Sequence, residues 1–442
     1  MALVWEKHLQ RTWGFSDVPS RNNLNYDNST CPNFSARAKF LQYDHLPKAI
    51  MSTSIKMLKV RLRVDLIKLN FDANEMLDGL QKWVLCESPS FDRTAVNRMQ
   101  DIAAHDLALM GASVERITPH PLAGDCIRAR IPHPDIGDPG ILILGHMDTV
   151  HPIGTLAKLP VRRDGNLCYG PGIADMKGGN YLALEAIRQL ATVGAQTPLP
   201  ITVLFTSDEE IGSPYTRDLI EAEARRAIAV LVPEPARRGN GVTSGRYAVA
   251  RYHVSTCGRP SHAGLRLSEG RSAIRKMAET IIAIESMSQN DCTFSVGVTH
   301  AGQWVNCVSS EATAEVLSMA KKQADLDAGI EKMLGLNDPT AEVSIKVTLG
   351  LTRPVWESSP ATMKLVAMAE ALAKNLGQPF RHESSGGGSD GNFTGAMGVP
   401  TLDGLGVAGD KFHTLDEHIV IDSLAMRGRM MAGLLMQIDA SL

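Results

Sequence analysis

Paired cysteines and long apolar runs are both missing from this chain of 442 residues. The seven cysteines are odd in number, are scattered along the sequence and include no C-x-x-C pair. This usage favours a reducing compartment over a disulfide framework, so we expect a cytoplasmic protein. No uninterrupted apolar stretch approaches about 18 residues, so we expect no membrane-spanning helix.

An excess of charge of one sign is also missing. The 45 basic and 48 acidic residues leave a net charge of −3, so no electrostatic feature indicates a nucleic-acid partner. Apolar residues make up 44% of the chain, which is enough for sizeable cores and excludes wholesale disorder. Because 442 residues is long for one domain, we expect two domains.

Residues 1–56 differ from the rest of the chain. They contain clustered Asn, Ser and Pro and show no clear helical or strand periodicity. We expect this segment to be disordered, or to be translated only from an early start codon. Met51 and Met57 are sensible first residues for the globular part.

Helical and strand patterns alternate over most of the remaining sequence, which predicts an α/β domain with a mainly parallel sheet. The pattern changes over residues 246–351, where the predicted order is β-α-β-β-α-β, the split βαβ arrangement. We therefore expect a catalytic domain in two parts, residues 57–245 and 352–442, with a smaller domain inserted between them.

Potential metal ligands follow two apolar runs and an intervening glycine-rich loop. The first run leads into His146 and Asp148, the second leads into Glu209 and Glu210, and the loop contributes Asp175. Two strands would therefore deliver imidazole and carboxylate groups to one end of the sheet. These donors suit a borderline divalent metal, zinc most often. Of two adjacent glutamates, one can bind metal while its neighbour acts as a base, so the pattern indicates a dinuclear metallohydrolase.

Together with later motifs, these segments resemble the dinuclear-zinc peptidase family that includes glutamate carboxypeptidase, aminoacylase, acetylornithine deacetylase and succinyl-diaminopimelate desuccinylase. The resemblance is greatest to glutamate carboxypeptidase and extends from about Asn74 to the C-terminus. It implies a zinc-exopeptidase-like α/β domain with an inserted ferredoxin-like dimerisation domain, and therefore a homodimer. It also implies two divalent metal ions, zinc foremost, and hydrolysis of the amide bond in small N-acyl amino acids or peptides.

The resemblance implies a ligand set of two imidazoles and three carboxylates. His146 and Glu234 match the ligands of one metal, and Glu210 and His413 match those of the other. Asp175 matches the carboxylate that bridges both metals. Three protein ligands for each metal would leave a position open for a shared water, as a catalytic site requires.

Further matches concern the chemistry around the metals. Glu209 matches the general base, and Asp148 the carboxylate that fixes the imidazole of His146 by a second hydrogen bond. His262 matches a histidine that reaches the active site of the partner subunit and helps to stabilise the oxyanion, and Asn306 resembles the asparagine that joins it.

The remaining matches concern substrate and backbone. Arg353 resembles the arginine that holds the free α-carboxylate of the substrate. Gly387 and Gly388 belong to a segment that looks like the glycine-rich substrate loop of the family. Relatives also carry a cis peptide after the bridging aspartate, so we expect a cis bond between Asp175 and Met176. No role is predicted for Asp403 or Asp416, and His151 fits a place behind the ligands or at the surface.

One departure concerns specificity. Where the glutamate carboxypeptidase pattern shows D-x-R, this chain has Leu317 and Met319, so we expect a looser preference for glutamate. An alternative activity is that of a deacylase of the acetylornithine or succinyl-diaminopimelate kind. A catalytically silent metal-binding or peptide-binding relative is a third possibility, but it would have no need to keep Glu209.

Overall fold

The computed structural model describes residues 64–289 and 291–442, and the expectation for residues 1–56 lies outside them. The helices are α1 (Ala73–Val84), α2 (Arg93–Leu109), α3 (Gly178–Thr192), α4 (Arg217–Ala224), α5 (Ala273–Ser286), α6 (Gln323–Leu334), α7 (Pro360–Asn375), α8 (Gly391–Ala396) and α9 (Asp422–Gln437). The longer strands are β1 (Ser113–Ile117), β2 (Cys126–Arg130), β3 (Gly140–His146), β6 (Ile201–Thr206), β7 (Ala227–Leu231), β8 (Val242–Arg246), β9 (Ala248–Cys257), β10 (Cys292–Ala301), β11 (Glu311–Ala320) and β12 (Ser344–Arg353). The shorter strands are β4 (Arg162–Asp164), β5 (Leu167–Tyr169), β13 (His382–Ser385), β14 (Thr401–Leu402), β15 (Gly409–Asp410) and β16 (His418–Val420).

A six-stranded sheet in the order β1-β2-β6-β3-β7-β14 forms the centre of the larger part of the fold. The four strands β6, β3, β7 and β14 are parallel, whereas β1 and β2 pair antiparallel at one edge. The sheet is therefore mainly parallel, as expected from the sequence, with an antiparallel pair of strands added at one edge. Strand β1 has no buried residue, and this explains why its sequence shows no strand pattern.

The continuous apolar run of β3 is explained by burial on both faces of the sheet. Ile141 and Ile143 belong to the larger core, which α1, α3, α7 and α9 also line. Leu142 and Leu144 belong to a second core on the opposite face, with residues of α4 and α8. A strand that is covered on both faces loses the alternation of apolar and polar residues.

Helix α3 approaches the chain closely beside β7. A Cβ atom on Gly179 would lie only 1.7 Å from Pro233 O, so only glycine allows this approach. The contact brings the loop before α3, which carries Asp175, next to Glu234. The position of two predicted ligands therefore depends on helix packing.

Residues 248–353 form a separate antiparallel sheet in the order β10-β11-β9-β12, which packs against α5 and α6. Its core is separate from the two described above, with Tyr252, Met277 and Phe294 among its buried members. The element order is β-α-β-β-α-β, as expected from the sequence. Strand β12 continues to Arg353, two residues beyond the boundary expected at residue 351.

Two small sheets complete the fold. Strands β15, β16, β5 and β4 form one, and β13 pairs with β8 in the other. Most of these strands are two to four residues long, too short for a periodic signal, and we did not expect them. Among the described residues, no helix combines the length and the apolar character that a membrane crossing requires.

Candidate metal centre

Three neighbouring parallel strands deliver side chains to one edge of the six-stranded sheet. His146 is the last residue of β3, Glu209 and Glu210 open a single helical turn shortly after β6, and Glu234 follows β7 by three residues. Since β6, β3 and β7 are parallel neighbours, their carboxyl ends meet. The sheet thus brings together residues that are far apart in the sequence.

The predicted ligands form two groups that share Asp175. In the first group, His146 Nε2 lies 3.3 Å from Asp175 Oδ1 and 3.8 Å from Glu234 Oε1. In the second group, His413 Nε2 lies 3.2 Å from Asp175 Oδ2 and 3.2 Å from Glu210 Oε2. Each oxygen of Asp175 therefore faces a different group, as a bridging carboxylate would.

The donor set fits divalent cations. His146 Nε2 and Glu210 Oε1 are buried and have no hydrogen-bond partner, and buried polar atoms are rarely left in this state. His146, Asp175 and Glu210 each offer one ligand atom, and these atoms lie within 4.8 Å of one another. Imidazole nitrogen and carboxylate oxygen are donors that zinc and related ions accept. The cluster is therefore a possible metal-binding centre.

The charges within the cluster also favour a bound cation. Burial and the neighbouring Asp175 raise the pKa of Glu210 to about 8 and also raise the pKa of Glu234. Hydrogen bonds to Asp175 and Glu210 raise the pKa of His413 to about 11. These directions show buried negative charge in excess of its counter-charge, and a bound cation would relieve it.

A buried carboxylate that the sequence did not single out holds the loop of Asp175. Glu417 accepts hydrogen bonds from the backbone N–H groups of Gly172 (3.0 Å), Ala174 (2.9 Å) and Asp175 (3.1 Å). His151 Nε2 lies 2.7 Å from the same carboxylate. His151 is thus buried behind the ligands, which is one of the two places expected for it.

The backbone near two ligands has unusual conformations. The bond between Asp175 and Met176 is cis, as the family resemblance implies. His413 has a φ of 61° and Lys411 a φ of 60°, in the left-handed region that few non-glycine residues adopt. They lie in the short connection between β15 and β16. The side chain of His413 is 52% exposed, so it marks the solvent side of the cluster.

Asp148 lies behind His146, where it was expected, and has further partners. His146 Nδ1 lies 2.9 Å from the backbone carbonyl of Asp148 and 3.4 Å from its carboxylate, so the carbonyl is the nearer partner of the imidazole. The carboxylate instead accepts hydrogen bonds from Ser90 Oγ (2.6 Å) and from the amides of Glu209 and Glu210 (3.2 Å each). Asp148 therefore ties the end of β3 to the turn that carries the candidate base.

Glu209 lies beside the first group and is paired with Arg353. Its Oε2 is 3.9 Å from His146 Nε2, and its Oε1 is 2.9 Å from Arg353 Nη2. Arg353 also contacts Asp390 Oδ1 at 3.3 Å. Burial raises the pKa of Glu209, and Arg353 counteracts that rise. The arginine expected to bind a substrate carboxylate thus contacts two protein carboxylates in this structure.

The glycine-rich segment lies near these groups and is held by a buried ion pair. Arg246 Nη1 donates to the carbonyls of Gly387 (2.6 Å) and Gly388 (3.1 Å). Arg246 Nε lies 2.7 Å from Asp403 Oδ2, and both side chains are buried. Asp403, for which no role was predicted, therefore positions this loop through Arg246.

His262 and Asn306 lie close to each other, but in the part of the chain that the structure describes neither is bonded to the metal-binding cluster. The amide of Ala263 donates to Asn306 O at 2.9 Å, and both His262 and Asn306 are exposed. Within residues 64–289 and 291–442, no hydrogen bond or ion pair joins either residue to the metal ligands. A role for them at the cluster therefore needs another chain or a movement.

Comparison with known proteins places these residues in a family. The model of "Peptidase family M20/M25/M40" matches residues 142–437. Carboxypeptidase G2 of Pseudomonas sp. (strain RS-16) is 32% identical over 376 residues, which cover 83% of this chain and 89% of that protein. Succinyl-diaminopimelate desuccinylase of Halorhodospira halophila is 28% identical over 316 residues, covering 65% of this chain and 80% of the relative.

Solved structures share the fold. A tripeptidase from Staphylococcus aureus aligns with a TM-score of 0.68 at 21% identity, covering 82% of this chain and 98% of that one. An M20 family metallo-carboxypeptidase from Sulfolobus solfataricus aligns with a TM-score of 0.66 at 16% identity, covering 83% and 99%. At these identities the likeness concerns the fold alone.

Proposed function

Because this chain belongs to peptidase family M20/M25/M40, a family of metal-dependent peptidases and deacylases, we propose that it hydrolyses the amide bond of N-acyl amino acids or C-terminal residues. The observation that carries this proposal is the arrangement at Asp175. Its two oxygens face two ligand groups, and Glu209 lies beside one of them with a free oxygen for a proton.

The cofactor we propose is a pair of divalent ions, zinc foremost. His146 and Glu234 would hold one ion, Glu210 and His413 the other, and Asp175 both. When bound, such ions polarise a scissile carbonyl and lower the pKa of a water.

Glu209 acts as the general base and then as the acid. Its Oε2 faces the ligand group of His146, so it can accept the proton of the attacking water and pass it to the departing amine. Arg353 holds Oε1 and leaves Oε2 for this task. Asp148 fixes the orientation of Glu209 by accepting its backbone N–H.

Arg353 selects substrates with a free α-carboxylate, which replaces Asp390 as the partner of Nη1 while Nη2 keeps its contact with Glu209 Oε1, because a guanidinium binds carboxylates strongly. His262 of the partner subunit, with Asn306, stabilises the tetrahedral oxyanion. The exposure of both side chains in a single chain supports this division between subunits. The enzyme is accordingly a cytoplasmic homodimer that acts on small substrates.

A deacylase activity of the succinyl-diaminopimelate kind is a second candidate, supported by the similarity to desuccinylases. It uses the same cluster and differs in the acyl group. The two candidates therefore differ in substrate and share a mechanism.

Hydrolysis of a substrate panel by the zinc-loaded protein tests the proposal. The panel contains N-benzoyl and N-succinyl derivatives of glutamate, aspartate, leucine and diaminopimelate, with α-amidated forms as controls. We expect hydrolysis of the N-benzoyl acids and none of the amidated forms. Turnover of N-succinyl-diaminopimelate alone would favour the second candidate, and no turnover of any member would contradict both.

A further inference from the structure

The inserted sheet carries a cation that no step of the proposed reaction uses. Buried and exposed residues alternate along β9, which places Val249 and Arg251 on the face away from the core of that sheet. Arg251 is exposed, and its Nη1 donates a long hydrogen bond to Ile211 O at 3.4 Å. An arginine has five N–H donors, so most of its binding capacity is left for another group.

Arg251 lies at the edge of the candidate metal centre. Ile211 belongs to the turn that begins with Glu209 and Glu210, the base and a metal ligand. Partial desolvation and the nearby cation Arg353 lower the pKa of the Arg251 guanidinium, whereas Glu209 and Glu210 raise it. In the pairing of β12 with β9, Arg353 is directly opposite Val249, so it lies on the same face as Arg251 and two positions away along β9. The two guanidinium groups therefore form a pair of cations beside the reacting groups.

The same face of the sheet contacts the glycine-rich loop. A Cβ on Gly386 would lie 2.9 Å from Met319 Cε, and a Cβ on Gly388 would lie 2.9 Å from Arg353 Cδ and 3.6 Å from Val249 Cγ2. The loop thus packs on the outer side of β9, β11 and β12.

The next position along this face holds Arg251 and an apolar neighbour. Arg251 is directly opposite Leu317 in the pairing of β9 with β11. A cation therefore stands beside the position where the sequence lacks a charge, but on the adjacent strand.

We propose that Arg251 binds a second carboxylate on the amino-acid side of the substrate, so that the enzyme prefers acidic amino acids. This inference rests on the proposed function. Two neighbouring cations match the α-carboxylate and the side-chain carboxylate of one acidic residue, with Arg353 taking the first and Arg251 the second. Guanidinium groups suit this recognition because their fork pairs with both oxygens of a carboxylate. Arg251 thereby replaces the charge missing at Leu317, and the looser preference expected from the sequence does not follow.

A second carboxylate could instead come from the acyl side of a substrate, as in an N-succinyl amino acid. The nearness of Arg251 to Arg353 favours the amino-acid side, because Arg353 is the candidate for the α-carboxylate. Experiments with both substrate types separate the two sources.

The test compares substrates that differ only in charge. For the zinc-loaded enzyme, kcat/KM is measured with N-benzoyl-glutamate and with its neutral isostere N-benzoyl-glutamine. The ratio of the two values is used because it cancels any loss common to both substrates. The variants are Arg251→Gln, Arg251→Lys and, as the matched control, Arg275→Gln, whose side chain on α5 is 83% exposed.

We expect a clear preference for glutamate in the wild type and a fall in the ratio by about 10- to 100-fold in Arg251→Gln, the range for a hydrogen bond to a charged group. Arg251→Lys should keep part of the preference, because it keeps the charge. Arg275→Gln should keep the wild-type ratio.

Two results would overturn the inference: a wild-type ratio near one, or an unchanged ratio in Arg251→Gln. A loss confined to N-succinyl-leucine, measured against N-succinamoyl-leucine, would overturn the assignment to the amino-acid side. If the wild type hydrolyses no N-acyl amino acid, the proposed function fails. Calorimetric binding of glutamate against glutamine to the wild type and to Arg251→Gln still decides the role of Arg251, because a preference that the variant keeps overturns it.

Discussion

Glu417 shows how one buried charge can organise the candidate metal centre without belonging to the predicted ligands. Its carboxylate is nearly inaccessible to solvent and accepts three backbone N–H groups of the loop that carries Asp175. Hydrogen bonds to an ionised acceptor are stronger than those between neutral groups. The loop is therefore held in place by a charge, and the orientation of the Asp175 carboxylate depends on it.

Replacing Glu417 with glutamine should weaken metal binding by about 10- to 100-fold, the usual effect of removing a partner behind the ligands. The amide has one oxygen for the three backbone donors, and its NH₂ group would face donors that need an acceptor. Zinc affinity is measured by competition with a chromophoric chelator. Asp416→Asn, a change at the exposed neighbour, is the matched control, and equal affinities in the two variants would contradict this account.

The residues of the candidate metal centre could be predicted from the sequence, because histidine and carboxylates follow apolar runs in a recognisable order. Glu417 could not be predicted in this way, since its partner amides lie more than 240 positions earlier in the chain and have no side-chain signature. Asp390 and Asp403 were missed for the same reason, because their contacts with Arg353 and Arg246 exist only in the folded chain. Two contacts were not predicted either: the backbone carbonyl of Asp148 beside His146 Nδ1, and the protein carboxylates beside Arg353.

At the scale of elements, helices and strands could be predicted from the sequence where they are well buried. The runs of β3 and β6 and the β-α-β-β-α-β order were predicted, because buried strands and amphipathic helices leave clear patterns. The exposed edge strand β1 and the short strands β4, β5, β15 and β16 leave none. These short strands flank the loops of Asp175 and His413, so the geometry of the group that contains His413 could not be predicted from the sequence.

The pairing of β9 with β11 includes a contact that depends on pH. His253 and Glu315 are direct cross-strand neighbours, with Nδ1 and Oε1 2.8 Å apart. The hydrogen bond to Glu315 raises the pKa of His253 above its ordinary value of 6.5. The stabilisation is therefore fully present below about pH 6.5 and is lost as the pH rises through the raised pKa of His253.

Glu315→Gln should remove this pH dependence while leaving the high-pH stability close to that of the wild type. Because both side chains are more than 40% exposed, the difference should stay under about 1 kcal/mol. The free energy of unfolding of both proteins is measured by denaturant titration from pH 5 to pH 9. A difference between the two free energies of unfolding that grows toward high pH would contradict this account.

At the scale of the molecule, the inserted sheet offers surfaces suited to a second copy. Strand β10 is at an edge of this sheet, and an unpaired edge can pair with another chain. Trp304 and Val305, near Asn306, are 72% and 103% exposed. Our proposal that His262 serves the neighbouring active site accounts for these exposed groups through a two-fold dimer.

Mixing two inactive variants tests the dimer. Glu209→Gln chains lack the base and His262→Ala chains lack the oxyanion donor, but each mixed dimer contains one site with both groups intact. We expect partial recovery of hydrolysis after subunit exchange, which is followed with differently tagged chains. Exchange without recovery would show that His262 acts within its own chain or not at all.

The central claim is that Glu209 is the proton-transferring base of a metal-dependent amide hydrolase. Glu209→Gln keeps the size of the side chain, so zinc content should match that of the wild type. The glutamine amide, however, cannot accept the proton of water. Hydrolysis of N-benzoyl-glutamate should fall by about 10²- to 10⁴-fold. Metal analysis and turnover measured on the same sample decide the question. A variant that retains zinc and turns over at close to the wild-type rate would contradict the account.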